Sequence, residues 1–142
     1  MSDDSPPADK IKELLLSQPF GVLSTKGEYP HTSLISFWSS EDFGRLVFIT
    51  SRNTRKYRNL MKDPRAAIMV DDRTNNPSAD LKQASSVMIT GTVKEATATE
   101  SESLRELFLE RNPDQLRFSE ESDSAVMVMK VEGTDLVTSF QV

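Results

Sequence analysis

Six cations fall within fourteen residues of an otherwise acidic chain: Arg52, Arg55, Lys56, Arg58, Lys62 and Arg65, in the stretch TSRNTRKYRNLMKDPRAAIMV. Tyr57, Leu60 and Met61 sit at i, i+3, i+4 within it and Pro64 closes it, so the spacing predicts a short helix over about residues 53 to 62. A helix N-terminus carries roughly half a positive charge and favours acids in its first turn. Here the first turn holds Arg55 and Lys56, and the acid, Asp63, comes at the other end. That order opposes an isolated helix by ~0.3 to 1 kcal/mol per misplaced charge, and a bound anion would reverse the sign. The free N–H groups of a first turn, the hydroxyls of Thr50, Ser51 and Thr54, the planar fork of Arg55 and the point charge of Lys56 are the parts of a site for one phosphate group. The residues alone leave two other readings open: a solvated basic face, and a nucleic-acid patch with Tyr57 as a stacking ring.

The composition limits the partners. A net charge of −5 and a pI near 4.9 give an overall field that repels DNA and RNA, so no nucleic-acid partner is expected. The apolar runs LLL at Leu14 and AVMVM at Ala125 fall far short of the roughly 20 residues a bilayer span needs, and no membrane partner is expected either. The start, MSDDSPPADK, is acidic where a secretory signal would be basic and then apolar, which predicts a cytoplasmic protein. Zero cysteines and a single histidine, His31, leave no disulfide framework, no thiolate nucleophile and no expectation of a metal. One domain over residues 1–142 is expected, with residues 1–8 as a flexible tail.

The elements that must hold the basic helix are mostly strands. Ile11, Leu14 and Leu15 predict a helix over about 7–17, opened near Asp4 or Ser5. FGVLST, HTSLISFW and RLVFITS, separated by polar Gly-bearing turns, predict an antiparallel meander over about 20–25, 30–38 and 44–50. RAAIMVD reads as a fourth strand, DDRTNNPSADLK as a polar loop, and SSVMITGTVKEA as a fifth strand with Gly91 at a bulge or bend. Thr99 and Glu102 have capping-box spacing before a helix carrying Leu104, Leu107 and Phe108 and ending near Asn112. SAVMVMKV and DLVTSFQV, divided by EGT, read as a closing hairpin, and the methionines Met69, Met88, Met127 and Met129 as strand packing. Alternating exposure is rare among these strands, which predicts burial on both faces or pairing with another subunit. The sum is a mainly β chain, a barrel with helices outside.

GVLSTKGEYPHTSLISFW, GRLVFIT, TRKYRNLMKDPRAAIMV and VMITGTV together resemble the pyridoxamine 5'-phosphate oxidase-like, FMN-binding split-barrel family, over roughly residues 10 to 96. The run F-x-T, then [ST]-R-K, N-L and D-P-R is met by Phe48, Thr50, Thr54, Arg55, Lys56, Asn59, Leu60, Asp63, Pro64 and Arg65. The resemblance implies a six-stranded antiparallel Greek-key split barrel with about three helices, working as a homodimer with FMN in clefts at the subunit interface. It implies Arg55 and Lys56 as phosphate ligands, beside the Thr54 hydroxyl read above as part of the same site, and Ile49 and Thr50 along the phosphate and ribityl chain. The strand Ser33, Leu34, Ile35, Ser36 would run past the isoalloxazine and offer it main-chain hydrogen bonds, and Ser86 stands where relatives place a Gln that reaches the flavin.

The resemblance also implies an oxidoreductase acting on a small molecule, with hydride or electron transfer on the flavin and no catalytic acid required. Beyond about residue 115 the likeness thins. DLVTSFQV has no counterpart of the Trp and Arg segment of true pyridoxamine-phosphate oxidases, and Leu107 stands where their Tyr is expected, beside a surviving Arg111. Other chemistry than vitamin B6 oxidation is therefore implied. The alternatives within the fold are an F420-dependent reductase, whose acidic tail Arg52, Arg58 and Lys62 would serve, and a non-catalytic flavin or haem carrier. His31 as a general acid or haem ligand, and Trp38 as a ring-stacking residue, stand beside plainer readings as strand and core residues.

Overall fold

The computed structural model describes residues 6–139. Its seven strands form one antiparallel sheet in the order β2-β1-β5-β6-β7-β4-β3. They are β1 (Phe20–Thr25), β2 (His31–Ser36), β3 (Trp38–Ser39), β4 (Arg45–Ser51), β5 (Arg65–Asp71), β6 (Ser85–Glu95) and β7 (Ser124–Thr138). Five α-helices connect them: α1 (Pro6–Ser17), α2 (Arg55–Lys62), α3 (Pro77–Gln83), α4 (Ala98–Arg111) and α5 (Leu116–Ser119), the last preceded by a 3-10 turn at Pro113–Gln115. The sheet curls until β2 packs against β4 without bonding to it, and this gap is the split of a split barrel.

The alternation of strand side chains places the core. Leu23, Ile35, Ile68, Val70, Val87, Ile89, Val93, Met127 and Met129 point inward with Phe37, Leu46 and Phe48. Leu14 and Leu15 of α1 close the barrel over them, at 0% and 1% exposure. Burial of each such side chain contributes about 1.5–3 kcal/mol. β4 is buried on both faces, because Leu46 and Phe48 join this core while Val47 and Ile49 pack under Leu104 and Phe108 of α4. Lys10 of α1 reaches Asp72 at 3.1 Å, raised above the ordinary lysine value chiefly by that hydrogen bond.

Several expectations are corrected. The predicted closing hairpin is a single strand, β7, which pairs with β6 along its length and with β4 in its first half. EGT makes a bulge in place of a turn: Gly91 pairs with Val131 and Thr90 with Gly133, so Glu132 is the extra residue. The approach there leaves no room for a side chain, since a Cβ on Gly91 would lie 2.0 Å from the Lys130 carbonyl oxygen. The predicted second strand breaks at Phe37 into β2 and β3, which with the single β7 gives seven strands for the expected six.

The polar loop contains α3, with Pro77 in its first turn, and the Asp80 carboxylate accepts from the backbone N–H groups of Thr74, Asn75 and Asn76. The capping box lies two residues earlier than predicted, at Thr97 and Glu100. Alternating burial is plain in β1 and β6. Met127 and Met129 are core, whereas Met69 and Met88 are 37% and 44% exposed. Residues 6–8 of the predicted tail belong to α1; residues 1–5 of that tail and Phe140, Gln141 and Val142 of the predicted hairpin lie outside the described residues. No described helix is long and apolar enough to cross a membrane.

Candidate functional site

The turn from β4 into α2 is built by its own hydroxyls. Thr54 takes an extended conformation at the helix N-cap and its Oγ1 accepts from the Tyr57 N–H at 3.3 Å. The Thr54 hydroxyl also donates to the Ser51 carbonyl at 2.8 Å and lies 3.1 Å from the Thr50 hydroxyl. Thr50 is 1% exposed, so this pairing supplies the partner a buried hydroxyl requires. Ser51 Oγ accepts from the Asn53 N–H at 3.2 Å. Sequence order alone thus brings three hydroxyl groups to the start of a helix.

Beside them opens a cavity of about 380 Å³. Its lining is part polar, from the contiguous Thr50, Ser51, Thr54 and Lys56 segment with Ser36 and Gln115, and part apolar, from Phe20, Leu34, Ile35, Ile49 and Phe118. β2 is an edge strand, so one row of its backbone N–H and C=O groups beside Leu34, Ile35 and Ser36 has no strand partner. The size falls within the range of small-molecule sites, roughly 300–1,000 Å³.

The six cations divide; Lys62 makes no ion pair among the described residues and does not line the cavity. Arg52 pairs with Glu95 and Arg65 with Asp63 at 2.8 Å, and the Arg58 guanidinium donates to the Asn53 carbonyl at 3.0 Å. Lys56 has no acid within ion-pair distance among the described residues, and burial pushes its ammonium below the usual lysine value. A half-buried cation without a counterion beside three hydroxyls is what an anion would complete. Arg55, next in sequence, is exposed and is not among the lining residues.

The remaining candidates are placed as follows. Ser33 faces inward opposite Leu23, its buried Oγ without a hydrogen-bond partner, and does not line the cavity. Ser86 pairs with Asp71 and Val137 on the sheet and is also outside the lining. His31 pairs with Thr25, away from the cavity, and its Nδ1 is a buried atom without a partner. Trp38 packs with the α4 cluster. Arg111 stacks 4.6 Å above the Phe37 ring and donates to the Gln18 carbonyl at 2.7 Å, and is committed to holding α4 on the barrel. Tyr57 packs on the core, as its spacing implied, while its hydroxyl donates to Glu95 at 2.7 Å.

The sequence reading missed Phe20, Gln115 and Phe118. Phe118 is held by Ser124, whose hydroxyl donates to its carbonyl, and by the neighbouring Ser119, which accepts from Arg105 at 3.1 Å. The only sequence signal for that wall was Pro113 starting a new turn after the long helix.

Residues 7–138 match the pyridoxamine 5'-phosphate oxidase family. The chain belongs to that family. Among solved structures, this oxidase-family chain is similar to a haem-binding protein of Mycobacterium smegmatis, with 22% identity and a TM-score of 0.79 over 95% of its length. It spans 59% of that mycobacterial chain. It is also similar to an FAD-binding protein of Mesorhizobium loti (14% identity, TM-score 0.73, 91% of this chain and 92% of that one) and to the haem storage protein HutZ of Vibrio cholerae (16%, 0.72, 92% of each). At these identities the likeness is one of fold. No curated protein matches the sequence.

Proposed function

We propose that the protein is a cytoplasmic FMN-binding flavoprotein, a homodimer that transfers hydride or electrons to or from a small molecule. The observation that carries this reading is a cavity lined both by Lys56 with three hydroxyls and by apolar side chains that include residues of the edge strand β2. These residues fit the group. Lys56, Thr50, Ser51 and Thr54 would hold the phosphate, Arg55 would approach it from the exposed side, and Leu34, Ile35, Ile49 and Phe118 would enclose the ring. FMN would supply the redox chemistry, and the protein positions it and excludes water.

The dimer rests on the outer face of the sheet. Leu34, Val22, Met69 and Met88 are successive cross-strand neighbours from β2 to β6, and Leu34 is 72% exposed. A contiguous apolar row of this kind on a soluble chain marks an association surface. Because Leu34 and Phe20 belong both to this face and to the cavity, a second copy seated there would border the cofactor.

The haem reading lacks an iron ligand, since no His, Cys, Met or Tyr lines the cavity. The F420 reading loses Arg52 to Glu95 and Arg58 to the Asn53 carbonyl. The test is the visible spectrum of the purified protein, before and after FMN addition and desalting. Retained flavin bands are expected. A colourless protein that ignores FMN sinks the reading, and a Soret or deazaflavin spectrum transfers it to the corresponding alternative.

A further inference from the structure

We propose that Tyr57, Glu95 and Arg52 form a positioning chain for the polar part of the cavity, although none of the three lines it. The inference rests on the phosphate reading of that part. Glu95 is the last residue of β6, and its carboxylate holds two groups at once: the Arg52 guanidinium and the Tyr57 hydroxyl, the latter at 2.7 Å. In the sequence these two arms bracket Thr54 and Lys56, the cap hydroxyl and the acid-free ammonium. The turn and the first turn of α2 are thereby tied to one fixed point on the sheet.

A second anchor holds the opposite side. The Arg52 N–H donates to the Asp123 carbonyl at 2.9 Å and the Asn53 amide to the Asp123 carboxylate at 2.9 Å, both at the entry to β7. The turn is thus held between the end of one strand and the start of another, and only the Glu95 side reaches the helix. Donors placed in advance of the anion cost no reorganisation when it binds, and a loosened turn forfeits that advantage. Glu95 also commits Arg52, so the cation left facing the cavity is Lys56.

Position and charge are separable by experiment. Tyr57→Phe removes one arm without changing any charge. FMN affinity is expected to fall about 5- to 10-fold, a fraction of the stabilisation of one hydrogen bond to a charged group, because the tie acts through the turn and not on the anion itself. Affinity for riboflavin, which has the same ring and ribityl chain and no phosphate, is expected to stay unchanged. Glu95→Gln removes a negative charge near the anion, which by field alone would tighten FMN; the positioning role predicts weaker FMN binding, again with riboflavin unchanged.

Unchanged FMN affinity in both variants, or equal losses for FMN and riboflavin, would overturn the inference. A wild-type protein that binds FMN and riboflavin alike overturns the phosphate reading itself, and the chain's role with it, before any variant is compared.

Discussion

Arg55 and Lys56 are adjacent in sequence and part company in space: Lys56 lines the cavity beside Thr54, while Arg55 stays on the exposed side of the helix. An ammonium already at the site, without a counterion, gains most from a phosphate. Lys56→Ala should weaken FMN binding about 30- to 100-fold, and Arg55→Ala, which removes a solvated arm, about 3- to 10-fold. Flavin fluorescence titration of the two single variants measures the difference, and their order reversed would move the phosphate to the outer face.

Affinity should also depend on alkaline pH. Burial lowers the Lys56 value from 10.5, and a phosphate beside it would raise it again. Binding therefore takes up a proton, and FMN affinity falls as pH rises through the lowered value of the free protein. The fold responds in the opposite sense. Between the lowered value and 10.5 the unfolded chain binds more protons, so burying this ammonium costs stability at neutral pH, and the cost is relieved as pH rises. Titrations between neutral pH and pH 10.5 should show the decline, and Lys56→Arg, whose guanidinium stays charged, should abolish it.

Gly91→Ala should destabilise the fold by about 2 kcal/mol or more, since its Cβ would meet the Lys130 carbonyl where β6 and β7 bulge. The obstacle is backbone, which cannot rotate away. Urea denaturation against Gly133→Ala, whose nearest neighbour is the mobile Thr90 hydroxyl at 3.0 Å, provides the comparison. Equal midpoints would mean that the strands part at little cost.

If the proposed dimer forms through the outer face of the sheet, Met69→Asp should leave the secondary structure intact and yield a monomer where the wild type is a dimer. Met69 lies between Val22 and Met88 in the exposed apolar row, so a carboxylate there would be stranded between two copies. Light scattering after size exclusion reads the mass. A variant that stays dimeric would place the subunit contact elsewhere.

How much of this the sequence displays depends on how local each feature is. The polar part of the cavity is contiguous: Thr50 to Lys56 carries its hydroxyls, its cap and its cation within seven residues, and these are legible without a fold. The far wall is not, because Phe118 reaches Ile35 and Ile49 only after α4 has crossed the barrel. The capping box was ambiguous in ATATESE, where both threonines stand three residues before an acidic side chain. Tertiary structure chose Thr97, since the Ala96 N–H still pairs with the Val126 carbonyl and the helix begins as soon as the strand releases. The glycine in EGT gave a turn signal that β6 overrode, its eleven residues offering partners across the bulge. For α3 the signal was present, Asn76 before Pro77 and then Asp80, and the polarity of the segment concealed it.

The placement of β7 has a consequence for the nascent chain. Every residue lining the cavity, through Phe118, is synthesised before any residue of β7, yet Thr50 and Ser51 acquire their sheet partners only from Ala125 and Ser124. Asp123, which fixes the turn, arrives equally late. A chain halted just after Phe118 would carry all the ligand side chains and no formed site. Loading of the proposed cofactor would then be a late event, waiting on the slow closure of strands that are distant in sequence.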